Sequence, residues 1–139
     1  MTDALIDTDR LFQTLLTRLD IPDATIANEL DTDSFDQVPF ITHRSSLQQT
    51  SNGPGLWGCT LTVVAFIVAS DATFPTLQAL YAGIHSWGDD PVEGIVTGVA
   101  AVEEVEDLEA FTRQSKGVPM LNAVVTPYVG SFGLTIRNH

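Results

Sequence analysis

Residues 37–68 read QVPFITHRSSLQQTSNGPGLWGCTLTVVAFIV, and this stretch decides how the rest of the chain is read. Two β-rich runs flank a polar cluster, Ser51-Asn52-Gly53-Pro54-Gly55, whose glycines and proline punctuate the backbone. In the second run, Leu56 to Val68, residues Trp57, Cys59, Leu61, Val63, Ala65 and Ile67 share one face. Gly58, Thr60, Thr62, Val64, Phe66 and Val68 share the other. The second face begins with threonines and ends apolar. That predicts a strand wet on one side at its start and covered on both sides at its end. The first run, Val38 to Leu47, carries Thr42, His43, Arg44, Ser45 and Ser46 and reads as the outer partner of a long hairpin. A two-stranded ribbon is only marginally stable alone, so another element must cover its apolar face.

Working outward toward the N-terminus, Ala24 to Asp36 is polar, acidic and weakly patterned. Asp31, Asp33 and Asp36 suggest a calcium loop, but the glycine and the closing glutamate of such a loop are missing, so an acidic loop or short strand is favoured. Before it, Leu5, Phe12, Leu15, Leu16 and Leu19 form a stripe at helical spacing. The helix spans Leu5 to Leu19, capped by Asp7 or Thr8 or starting earlier near Thr2 or Asp3. Ile21-Pro22-Asp23 ends it, because the residue before proline is pushed out of the helical region.

On the other side, Ser70-Asp71-Ala72-Thr73 offers N-caps for a second helix, Phe74 to Trp87. Its face of Phe74, Leu77, Leu80, Tyr81, Ile84 and Trp87 is expected to lie across the hairpin. Gly94 to Glu106 reads as a third strand and Val118 to Ile136 as a fourth, after a turn at Ser115 to Pro119. Pro127, Gly130 and Gly133 suggest an edge position or a bulge for the fourth. The fold class that results is α+β: a single domain, 1–139, with a mainly antiparallel sheet covered by two helices in helix–hairpin–helix–hairpin order.

Charge narrows the function. The chain holds 18 acidic and 6 basic residues, a net charge of −12, which argues against reading nucleic-acid sequence or adhering to anionic lipid. No apolar run is long enough to span a membrane, and MTDALIDTDR, with three aspartates before its first basic residue, reverses the pattern of a secretory signal. The single cysteine, Cys59, cannot form an internal disulfide and fits a reducing compartment. Residues 89–109 hold eight acids and no lysine or arginine, whereas 110–139 hold Arg113, Lys116 and Arg137 and no acid. This is either a solvated acidic edge or a self-complementary subunit, acidic on one flank and basic on the other.

Catalytic signatures are weak. His43, His85 and Cys59 invite a cysteine–histidine reading, but a mid-strand cysteine is usually a small buried hydrophobe and no motif surrounds it. Three histidines without ligand spacing do not predict zinc. No phosphate-binding glycine motif occurs, so no cofactor is expected. Glu103-Glu104 and Glu106-Asp107 read as a charged strand rim rather than an acid–base pair. Arg44 either meets the acidic rim of another copy or guards an exposed edge.

The blocks VPFITHRSSLQQTSNGPGLW, LYAGIHSW, VEDLEAFTR and YVGSFGLTIRN resemble the tail terminator, or tail completion, proteins of long-tailed bacteriophages, particularly those infecting actinobacteria. The resemblance covers most of the chain from Gln37 onward and rests on ordered blocks and size. It implies a small α/β virion protein without catalytic residues that forms a six-membered ring, caps the tail tube and receives the head connector. The implied partners are further copies of itself, the tail tube protein and the head–tail connector, with DNA passing through unbound and no membrane contact. The implied location is the head-proximal end of the tail, after assembly in the host cytoplasm. The expected interface residues are Arg44, Glu103, Glu104, Glu106, Asp107, Arg113, Lys116 and Arg137. The runner-up readings are another head–tail connector or minor tail protein, and a small enzyme or ligand-binding domain.

Overall fold

The computed structural model describes residues 5–29, 39–49, 55–68, 72–90, 92–113 and 125–139. In chain order the elements are α1 (Thr8–Arg18), β1 (Thr25–Ala27), β2 (Phe40–Gln49), β3 (Leu56–Val68), α2 (Thr73–Asp89), β4 (Ile95–Val96), β5 (Ala100–Arg113) and β6 (Val125–Asn138). The strands form one mixed sheet in the order β1-β2-β3-β6-β5-β4, parallel only between β1 and β2. The architecture is a single small α+β domain with two helices.

The hairpin of β2 and β3 pairs Phe40 with Phe66 at one end and Gln49 with Trp57 at the other. The face of β3 that carries Trp57, Cys59, Leu61, Val63, Ala65 and Ile67 is buried throughout. The opposite face is half-buried at Thr60 and Thr62 and closes over Phe66, which packs with Phe40 and Val125 in a second small cluster. The alternation therefore predicts the buried face; on the other face the expected cover is found at Phe66, while Val68 at the strand's end is exposed. The cluster Ser51 to Pro54 lies outside the described residues.

Asp7 caps α1 by accepting a hydrogen bond from the Arg10 amide at 3.1 Å. Leu11, Phe12, Leu15 and Leu16 are buried from α1, and Leu80, Ile84 and Trp87 from α2. All join one core with the inner residues of β3 and β6, so both helices cover the same face. Their rings meet there, Phe12 lying 5.9 Å from Trp87 between centroids. Burying one such side chain contributes roughly 1.5–3 kcal/mol.

Two residues assigned to the apolar helix faces, Leu5 and Phe74, are exposed, Leu5 because α1 starts only at Thr8, and four expectations about the elements change. First, α2 lies mainly over β5, and α1 covers β2, because β6 inserts between β3 and β5 and moves the second hairpin beneath α2. Second, the third strand is broken: a turn at Thr97-Gly98-Val99, with Gly98 at φ 80°, separates β4 from β5, and β5 runs on to Arg113. Third, β6 is central, not an edge. It keeps an unbroken register with β3, and the irregularities fall on β5 at three positions instead. Pro127 is tolerated one residue beyond the last β5 register pair, Arg113 with Tyr128. Fourth, α2 starts one residue earlier, at Thr73, and runs two residues further, to Asp89; its N-cap is Ala72, one of the residues expected there, while Ser70 and Asp71 lie outside the described residues. Thr2, Asp3, the aspartates Asp31, Asp33 and Asp36, and the turn Ser115 to Pro119 also lie outside them. The short strand β1 forms the start of the Ala24 to Asp36 segment.

Candidate interaction surface

The helices cover one face of the sheet, and the strand registers define what the other presents. Arg44 of β2 pairs with Thr62 of β3, Thr62 with Ser131 of β6, and Ser131 with Glu109 of β5. These four residues form a straight row across the sheet. The next row is Ser46, Thr60, Gly133 and Glu106, and the next is Gln48, Gly58, Thr135 and Glu104. The middle of the face is made of hydroxyls and glycines. The β5 end is acidic in all three rows, and the β2 end is cationic at Arg44. At about 4.8 Å per strand, the Arg44 and Glu109 backbones stand roughly 14 Å apart, too far to neutralise each other in water.

Each end of these rows is also a strand edge. Among the described residues, β1 pairs with β2 only at Phe40, Ile41 and Thr42, and β4 pairs with β5 only at Ala100 and Ala101. The outer backbones of His43–Gln49 and of β5 from Glu103 onward have no strand partner among the described residues. Bulges and charges on β5 are the usual protection against indiscriminate strand addition.

The expected interface residues divide into four sets. Arg44, Glu104, Glu106 and Arg113 are exposed, the first three on the open face. Arg137 and Glu103 instead meet each other within the chain, Nε to Oε1 at 2.5 Å. Asp107 turns to the helix side, where it accepts hydrogen bonds from the Tyr81 hydroxyl at 2.5 Å and lies 2.6 Å from His85 Nε2. These bonds, the Tyr81 one foremost, hold the Asp107 carboxyl below its ordinary range, and the same bond pushes the Tyr81 phenol up. Lys116 lies outside the described residues. Glu109, Thr62 and Ser131 complete the row that Arg44 begins. The strand parity of β3 predicts Thr62, but the bulges of β5 hide Glu109.

A hollow of about 560 Å³ lies against this surface, lined by Gln48, Thr60, Thr135, Glu104 and Glu106, and also by Cys59 and His85. A histidine, the thiol and carboxylates therefore share one lining. Their states differ from those of a nucleophile and its base. Burial pushes the Cys59 thiol up to about 12, so it stays protonated at neutral pH, and its hydrogen is directed at the Thr60 carbonyl 3.9 Å away. The bonded partner of His85 is Asp107. His43 is elsewhere, buried beneath α1 and hydrogen-bonded to Gln13.

Among the described residues, no three His, Cys, Asp or Glu side chains are grouped to hold a metal ion. No helix among them is long and apolar enough to cross a membrane. The chain matches no protein-family model and no curated protein sequence.

Proposed function

We propose that this chain is a structural phage subunit, a tail terminator that closes the tail tube as a ring of identical copies, six by the sequence resemblance. The single observation that carries the reading is the sheet face that neither helix covers, cationic at its β2 edge and acidic at its β5 edge. Opposite charges on opposite edges suit a head-to-tail contact, in which one surface meets a different surface of the next copy and the contacts close into a ring. The face between them carries hydroxyls and glycines and no cation in these three rows, and on a chain of net charge −12 it offers DNA phosphates nothing to hold, so a genome slides past it without specific binding.

In this reading the two hairpins and two helices are the helix–hairpin–helix–hairpin frame of the terminators, and β1 and β4 are additions to it. The ring ends tube polymerisation, rests on the tail tube protein and offers its far side to the head–tail connector. Its place is the head-proximal end of the tail in the virion, reached from the host cytoplasm. It works by shape and charge without a cofactor, a membrane or bond-making chemistry.

The test has two parts. Arg44→Glu should reduce assembly on isolated tail tubes, measured by multi-angle scattering and negative-stain imaging, and adding Glu109→Arg should recover part of it. Exposed pairs each contribute about 0.2–1 kcal/mol, so a ring multiplies a small effect. Phage lacking the protein should make overlong tails. Tails of normal length that fail to join heads would assign the chain to the connectors instead, and the absence of any tail or head–tail defect would overturn the virion reading.

A further inference from the structure

His43 is 2% exposed, on the helix-covered face of β2 opposite Val63. Its bonding fixes the tautomer. The Gln13 side-chain nitrogen donates to the Ile26 carbonyl at 2.7 Å, so the other end of that amide, Oε1, is an acceptor. His43 Nε2 lies 2.7 Å from Oε1 and must carry the hydrogen. Nδ1 is then a bare lone pair, buried and without a hydrogen-bond partner among the described residues. One amide thus ties three elements together: α1 through Gln13, β1 through Ile26 and β2 through His43. A second tie lies beside it, Ser45 Oγ donating to Thr8 Oγ1 at 2.7 Å.

We propose that this bridge is a proton-released clamp: a proton on Nδ1 of His43 loosens the α1–β1 unit from β2 while the β3–β6 centre of the sheet stays closed. Nδ1 is the one place the ring can accept a proton, and there the charge would have no hydrogen-bond acceptor. Asp9 on α1 favours the proton, but burial outweighs it and holds the imidazole below its ordinary value of 6.5. Among the described residues the other packed elements offer no compensating charge. The β1 segment, Thr25–Ala27, has no charged residue, Val63 is the facing residue of β3, and Arg44 belongs to the opposite face of the sheet. Because β1 pairs with β2 only at Phe40, Ile41 and Thr42, beside His43, release of the unit uncovers the flank of β2.

Hydrogen exchange read by mass spectrometry on the intact chain tests this, from about pH 8 to about pH 5 with intrinsic rates corrected. Protection across residues 8–27 should fall about tenfold or more as pH drops below the ordinary histidine range, while β3 and β6 keep theirs. His43→Gln, which still donates to Gln13, should abolish the step. Equal loss in all elements, no loss at all, or the same loss in His43→Gln would overturn the clamp. The ring's nitrogen chemical shifts give a readout that needs no variant. They should show hydrogen on Nε2 alone at neutral pH, and a ring protonated on both nitrogens while residues 8–27 remain protected would also overturn it.

Discussion

Arg137 of β6 and Glu103 of β5 face each other 2.5 Å apart within one chain, although the strand ladder places Ala101 opposite Arg137. The register shift between Val102 and Glu104 puts Glu103 within reach. The sequence splits acids and bases into separate segments, and the fold rejoins part of them as neighbouring strands. Arg137 is therefore partly neutralised within its own chain.

Arg137→Glu should accordingly destabilise the isolated chain by about 0.2–1 kcal/mol, since the side chains are 53% and 38% exposed. Exchange of both charges, Glu103→Arg with Arg137→Glu, should restore the thermal midpoint. Assembly that stays impaired in the double exchange, despite recovered stability, would place Arg137 at the subunit boundary instead.

The Cys59 thiol provides a chemical test of the hollow. A thiol pushed up to about 12 from an ordinary 9.0 has about a thousandfold less thiolate at a given pH. Folded protein should react with an aromatic disulfide reagent slowly, and denatured protein at the rate of a free thiol. Rapid stoichiometric labelling of the folded chain would show an activated cysteine and favour the enzymatic reading.

Legibility followed the continuity of the ladder. On β3 the two-residue period runs without interruption, so the buried set from Trp57 to Ile67 and the wet threonines opposite were readable. On β5 three register shifts break the parity. They explain why Asp107 points to α2 while Glu106 and Glu109 line the open face. The Gln13 to His43 bridge joins residues 30 apart through an amide that resembles any surface glutamine. The place of α2 was hidden for a topological reason, since no local pattern states that β6 enters between β3 and β5.

Asp107 carries a pH dependence of definite sign. Its carboxyl is held below the ordinary value by the Tyr81 hydroxyl and then by His85. A carboxylate depressed in the folded state contributes stability above its unfolded value, and that contribution is lost as pH falls through the folded one. Asp107→Asn should therefore show a lower thermal midpoint near neutrality and a shallower decline below about pH 5 than the wild type. Because the side chain is 39% exposed, solvent screens the effect and it should be small. Identical pH profiles for the two proteins would remove the role assigned to these bonds.

Gly94 tests how α2 is seated on the strands that follow it. A Cβ there would collide with the Trp87 carbonyl oxygen, a backbone atom of the last turns of α2, and would press on the Val102 side chain. The Gly94 carbonyl also accepts from the Val102 amide at 2.9 Å. Gly94→Ala should cost about 1–3 kcal/mol through overpacking, because backbone cannot swing aside as a side-chain tip can. Denaturant unfolding with an unchanged slope would measure it.

Phe12 and Trp87 then decide whether the two helices stabilise the sheet jointly or separately. Both rings are fully or nearly fully buried, and their contact links α1 over β2 to α2 over β5. Phe12→Ala should cost about 3–5 kcal/mol, from lost burial and from the cavity beside Trp87. Phe12→Leu should cost less, since it refills part of the space. A shared core requires that the alanine variant also alter Trp87 fluorescence and lower the exchange protection of α2, an element remote in sequence. Loss of protection confined to α1, with Trp87 emission unchanged, would mean that the helices are held by separate patches of the sheet. The loss of protection should reach α2 because the core from Leu11 to Ile136 is continuous across both helices.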